Sequence, residues 1–230
     1  MAASNQQKQV PSTVAEAGVT PTLQKREVAA SFLFRTAPDD PGKVQVALFR
    51  RSGDVRTYPH KLAPISGSVE KEDADSLATA LREIKEETTL GLASIKLLHK
   101  GKPYSFVDES IGRQWTIHPF AFRLKSAGEG GKGETGTTID WEHEGWEWHD
   151  PLQVDGSEGV PRLRDSLRRV WPEIDIGARA GRALALGLLR LQADHESGAR
   201  QLATKAVSIL RSVIANSDGL ARDDFWWAKI

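Results

Sequence analysis

Three glutamates, Glu83, Glu86 and Glu87, stand within five residues in the stretch LREIKEETTL. On a helix advancing about 100° per residue they fall within an arc of roughly 100°. Leu77, Ala80, Leu81 and Ile84 form an apolar stripe on the other side. A charge run on a helix is usually a solvated face. Such faces are normally laced with Lys or Arg four residues away, and here only Arg82 to Glu86 has that spacing. Glu83 and Glu87 are themselves four apart, a like-charge pair. Their repulsion is about 3 kcal/mol at an effective dielectric of 20 and falls to tenths of that unit in water. The competing reading is a site for a hard divalent cation, which takes oxygen ligands and completes its shell with water and substrate phosphate.

The surrounding chain narrows the chemistry. Lys+Arg and Asp+Glu each number 31 in 230 residues, so neither a nucleic-acid groove nor attraction to an anionic membrane is indicated. There is no cysteine. Disulfides, thiolate nucleophiles and Cys-ligated zinc are excluded, and a reducing, cytoplasmic setting is expected. No run of about 18 apolar residues suggests a membrane span. The six histidines show no HxxxH or HxH spacing, and no Gly-x-Ser-x-Gly elbow is present. His143 and His149, near the glutamates' candidate site, have two readings, contact with phosphate or base and a satisfied surface position, of which the second is expected.

The elements that must position the glutamates follow from pattern. Residues 1–25 lack the apolar core of a secretory signal and read as a disordered tail. REVAASFLFR and KVQVALFRR, separated by TAPDDPG, predict a β-hairpin. RTYPHKLAPISGS reads as an irregular loop, and Asp75 to Thr89 as the first helix. ASIKLLHKGKPYSF and RQWTIHPFAFRL predict strands. KSAGEGGKGETGTT is a flexible loop without the Gly-Lys-Ser/Thr ending of a P-loop. IDWEHEGWEWHD ends in a strand, and from Pro161 the pattern is helical. A boundary is expected near residue 158, giving a domain over 26–158 and a helical segment over 159–230.

At this point GSVEKEDADSLATALREIKEETTL resembles the signature box of the Nudix hydrolases, Gly-x5-Glu-x7-Arg-Glu-U-x-Glu-Glu-x-Gly-U with U aliphatic. Arg82, Glu83, Ile84, Glu86, Glu87 and Leu90 match it, and Gly67 matches the Gly that commonly precedes the box. Ser68, Ala74 and Thr89 depart from it, at the first Gly, the first Glu and the late Gly. The resemblance implies an α/β architecture, an α+β sandwich with a mixed sheet between helices, followed here by an all-helical segment. It implies that Glu83, Glu86 and Glu87 bind Mg²⁺ or Mn²⁺, with the Gly67 carbonyl as a further ligand and one glutamate as base toward water. The missing Glu normally braces Arg82, and Asp73 or Asp75 is the available substitute. DWEHEGWEW resembles the late Nudix segment, where Glu142 or Glu144 would be the outlying carboxylate. The implied activity is hydrolysis of a nucleoside diphosphate linked to another moiety. The alternative is a weakly active or inactive domain that senses a nucleotide-like small molecule for an attached regulatory domain resembling that of translation initiation factor 2B.

The remaining features have two readings each. Trp141, Trp146 and Trp148 are packing residues or a stacking platform for a base. Arg50, Arg51, Arg56 and Lys61 meet a polyphosphate or are simply solvated. GARAGRALALGLLRLQADHESGARQLATKAVSILRSVI faintly resembles the helical start of the family that includes regulatory subunits of translation initiation factor 2B and ribose-1,5-bisphosphate isomerases. The ending DDFWWAKI, with Phe225, Trp226, Trp227 and Ile230, is apolar for a terminus. It is expected to dock on the helices, to belong to a longer protein, or to join a partner. Self-association or pairing through the C-terminal helices is expected.

Overall fold

The computed structural model describes residues 23–217. The expected disordered tail lies almost wholly outside the described residues, as does the aromatic ending. The first strand, β1 (Gln24–Thr36), begins inside the stretch read as tail. It organises the sheet because it changes partner along its length. Residues 33–36 pair antiparallel with β2 (Val44–Arg51), the predicted hairpin. Residues 28–31 pair antiparallel with β4 (Ile65–Ser68) instead. On its other edge β1 runs parallel to β7 (Arg113–Leu124) over Gln24 to Phe34.

The loop expected over RTYPHKLAPISGS contains two short strands, β3 (Leu62–Ala63) and β4, separated by Pro64. The single strand expected over ASIKLLHKGKPYSF is two, β5 (Ile95–Lys100) and β6 (Tyr104–Asp108). Each pairs antiparallel with β7. The last strand, β8 (His143–His149), joins the outer edge of β2.

Alternation in β1 and β2 buries both faces of the sheet. Ala29, Leu33, Ala47 and Phe49 face α1 (Ser76–Thr88), whose Ala80 and Ile84 are fully buried against them. Phe32, Phe34, Val46 and Leu48 face the opposite way, onto α2 (Leu163–Val170) through Leu163, Leu167 and Val170. Trp171 extends that layer by stacking on Phe34 at 4.7 Å. The expected boundary near residue 158 thus falls ahead of a helix that shares the sheet's core. Beyond it, α3 (Glu173–Gln192), kinked at Gly177, and α4 (Ala199–Asn216) form a hairpin with a small core of its own, Ile176, Ala180 and Val213. Gly187 lets Ile209 of α4 approach α3, since a Cβ there would stand 2.4 Å from its side chain. Among the described residues no helix is long and apolar enough to cross a membrane.

Candidate active site

The glutamate helix is fixed at both ends. Asp75, its N-cap, accepts from the Leu77 and Ala78 amides at 2.9 Å, satisfying donors that a helix start leaves unpaired. Asp75 is therefore occupied as a cap. At the other end Thr89 takes a left-handed conformation, φ 61°, and returns its amide to the Lys85 carbonyl at 2.9 Å. This is the position where the box pattern has Gly. A residue with a Cβ pays roughly 1–2 kcal/mol for that conformation.

Arg82 is the hub of the helix surface. Its Nε and Nη2 donate to the two carboxylate oxygens of Asp73 at 3.1 and 2.9 Å, a bidentate pair. Nη1 donates to Glu83 at 2.7 Å and to Glu86 at 3.0 Å, and Nη2 also reaches the Ser68 carbonyl at 3.2 Å. Asp73 takes further bonds from the Thr79 hydroxyl and the Glu70 amide. These donors, Arg82 foremost, hold Asp73 well below the usual carboxylate range. Of the two candidate substitutes for the missing Glu, Asp73 provides the brace.

Glu83 points into the sheet junction against Gly67. A Cβ at position 67 would stand 1.8 Å from Glu83 Oε1, so the carboxylate would have to move from this seat beside any larger residue. Burial, then the charge of Glu87, pushes the Glu83 carboxyl up to about 7, against the pull of Arg82. Glu87 is more enclosed, 3% exposed, with Oε2 2.6 Å from His143 Nε2. Burial holds its pKa well above the ordinary value, with the charges of Glu142 and Asp140 adding to the effect and Arg51 opposing it. His143 is itself buried and pushed down, chiefly by burial. Burial thus drives both members of the pair toward their neutral forms. His143 Nδ1 is buried with no hydrogen-bond partner among the described residues.

The two late carboxylates part company. Glu142 is tied by its carbonyl to the Ser52 amide at 2.7 Å, and its charge bears on Glu87. Glu144 is engaged elsewhere, with Oε1 2.6 Å from His60 Nδ1, and the structure does not join it to Glu87. Glu86 lies on the open side of the helix, its side chain 56% exposed, held among the described residues by Arg82 alone. The sequence reading favoured the surface for His143 and passed over Asp140. His143 is a core histidine on Glu87 and not a surface residue. Asp140, whose amide bonds the Glu87 carbonyl at 3.2 Å, adds charge to the cluster. The EHE run at 142–144 marks the region without saying which side chain turns inward.

The other candidates separate as clearly. Trp146 stacks on Phe49 at 5.9 Å, and Trp148 lies under the Arg35 guanidinium at 4.2 Å. Both are packing residues, while Trp141 is exposed. Arg50 bonds the His60 carbonyl and Glu158.

Among the described residues no three acidic or histidine side chains stand as a ready metal cage. Arg82 holds Glu83 and Glu86, and Glu87 turns to His143. The donor chemistry nonetheless fits a hard cation. The set is all oxygen, glycine at 67 leaves the carboxylate of Glu83 its space, and the mutual repulsion among Glu83, Glu87, Glu142 and Asp140 is what a cation relieves.

A mixed sheet between α1 and α2, with a glutamate-rich helix leaning on a glycine of the preceding strand, defines an α+β sandwich that presents buried carboxylates. The family model described as the NUDIX domain matches residues 25–170, well over half of the chain, and the chain belongs to the Nudix family. Enzymes of this family generally use divalent metal ions. Among solved structures, the chain is similar to the C. elegans Ap4A hydrolase in a binary complex. There the identity is 18%, the match covers 63% of this chain and 93% of that one, and the TM-score is 0.49. It is also similar to a Nudix hydrolase from M. smegmatis, with 16% identity, 64% and 84% coverage and a TM-score of 0.49. A third is the NUDIX domain of Shewanella oneidensis NrtR complexed with ADP ribose, with 13% identity, 67% and 92% coverage and a TM-score of 0.48.

Proposed function

We propose that the chain is a pyrophosphohydrolase, dependent on Mg²⁺ or Mn²⁺, that cleaves a nucleoside diphosphate linked to another moiety. The observation that carries this reading is the buried, mutually repelling pair Glu83 and Glu87, seated against Gly67 and flanked by the Asp73-braced Arg82. Glu83, Glu86, Glu87 and Glu142, with the Gly67 carbonyl, are the residues that would hold the metal. The cation, when bound, neutralises the diphosphate and lowers the pKa of attacking water.

The chain's own groups supply the rest. Arg82, held by Asp73, keeps Glu83 and Glu86 on one side of the helix. One of the cluster's glutamates would act as base toward the attacking water. Water oxygen bonds to phosphorus, the bridging P–O bond breaks, and the water proton passes to a carboxylate. The products are a nucleoside monophosphate and a phosphorylated remainder.

A second reading is favoured by the engagement of Glu83 and Glu86 by Arg82 and of Glu87 by His143. In it the domain binds a nucleotide with little turnover and reports it to the helical segment, whose texture resembles that of translation initiation factor 2B regulatory subunits. Product release from ADP-ribose, diadenosine tetraphosphate, NADH and oxidised nucleotides, with and without Mg²⁺, separates the two. Metal-dependent release from any of them supports the enzyme. Binding without release supports the sensor.

A further inference from the structure

We propose that Arg51 is the residue that receives a phosphate group of the substrate beside the carboxylate cluster. The proposal rests on the pyrophosphohydrolase reading for its substrate class. Its geometry stands on the fold.

Arg51 ends β2 and pairs with His143 of β8 just past a register irregularity between Arg50 and Arg51. Phe49, two residues earlier and on the same face of the strand, contacts the His143 ring at 5.1 Å. His143 in turn holds Glu87. Arg51 therefore projects on the face that carries the cluster, and its charge is felt by both Glu87 and His143.

What singles it out is how its donors are used. Its Nε donates to the Thr57 carbonyl at 3.1 Å, which fixes the guanidinium on the loop that follows β2. Its two terminal nitrogens donate to no acceptor among the described residues, and neither is a buried unpaired atom. Glu87 Oε2, an acid on which the Arg51 charge bears, is taken by His143 at 2.6 Å. The neighbouring arginines differ. Arg82 is committed to Asp73, Glu83, Glu86 and Ser68, and Arg50 to the His60 carbonyl and Glu158.

A concentration of carboxylates repels a diphosphate, so a fixed cation on the same face serves to offset that repulsion. A planar guanidinium anchored through Nε keeps its outer edge for two oxygens of one phosphate group, a fit that a lysine ammonium lacks.

The test is calorimetric binding of inorganic pyrophosphate to the full chain, in Mg²⁺ and again in a chelator. Wild type, Arg51→Ala, Arg51→Lys and the control Arg50→Ala are compared, each with its melting temperature recorded. Arg51→Ala should weaken pyrophosphate binding about 10- to 100-fold, the loss expected for charge-assisted hydrogen bonds. Arg51→Lys should recover part of it, and low concentrations of guanidinium ion should restore binding to Arg51→Ala. Arg50→Ala should bind as wild type.

Equal binding by Arg51→Ala and wild type overturns the proposal, as does a wild type that binds no pyrophosphate. Weakened binding that neither lysine nor guanidinium restores makes Arg51 a staple for the loop at Thr57 and also overturns it. If Arg51→Ala does not fold, the lysine variant alone decides. Binding equal to wild type or lost entirely counts against the proposal, and intermediate binding supports it. Hydrolysis of ADP-ribose is assayed separately. Pyrophosphate binding through Arg51 without any nucleotide hydrolysis defeats the proposed function and leaves this inference standing.

Discussion

Replacing Glu83 by glutamine should stabilise the metal-free protein at neutral pH, although it removes a central carboxylate. Glu83 has an ordinary pKa of 4.5 and is pushed up to about 7 in the fold, by burial first and the charge of Glu87 second. Between those two values the unfolded chain has lost this proton and the folded chain has kept it. Stability therefore falls as pH rises through that window and levels off above about pH 7. The shift corresponds to about 3 kcal/mol. The side chain is only 14% exposed, so solvent screens little of it. Glutamine cannot ionise, and it also relieves Glu87 of a charged neighbour. Urea unfolding in a chelator from pH 4 to pH 8 should give curves for wild type and Glu83→Gln that meet near pH 4. They should separate to about 3 kcal/mol by pH 8, with the variant the more stable. Saturating Mg²⁺ should raise the wild type more than the variant at pH 8. Parallel pH profiles in the chelator would refute the assignment of a strained, buried carboxylate at this position.

Further outcomes follow from the same geometry. Asp73→Ala should lower hydrolysis about 10- to 100-fold by loosening Arg82, and adding Ala74→Glu to that variant should recover much of the loss. Steady-state rates on the most active nucleotide of the panel check both. Thr89→Gly should raise the unfolding free energy by about 1 kcal/mol, because glycine adopts the left-handed exit without strain; equal denaturation midpoints would count against it. A chain ending at residue 158 should fail to fold, since Leu163, Leu167 and Val170 each contribute about 1.5–3 kcal/mol of burial, against a whole-domain stability of about 5–15 kcal/mol. A chain ending at residue 172 should keep a cooperative melt by circular dichroism.

The parts legible in the sequence were those specified by local pattern. The helix at 76–88 announces itself by period and by Asp75, and β7 coincides with RQWTIHPFAFRL because its neighbours are turn-forming on both sides. The strands β3 and β4 were not legible. They are two and four residues long with Pro64 between them, and their pairing comes from β2 and β1 rather than from their own sequence. The short run PRLRDSLRRVW does not say in its own sequence what covers it, and its burial on the sheet through Leu163, Leu167 and Val170 is a property of the fold. Glu83 and Glu87 were readable as a pair from spacing alone. The burial of His143 depends on its register opposite Arg51, a relation between residues 92 positions apart (143 − 51) that no local window contains. That Glu144 pairs with His60 while the charge of Glu142 bears on Glu87 is likewise a matter of the fold.

The brace at Asp73 carries a consequence for how such a site changes over time. Arg82 needs a carboxylate at a place in space, and the loop ahead of Asp75 has no helical phase that ties that place to one residue number. Ala74 is exposed, so a glutamate there and the aspartate at 73 can coexist in one chain without crowding a core. A lineage can therefore move the acid between neighbouring positions by first gaining the new one and then losing the old. Arg82 is never left unheld along that path. The box pattern puts this acid at the position of Ala74, and in this fold Asp73 holds Arg82 instead.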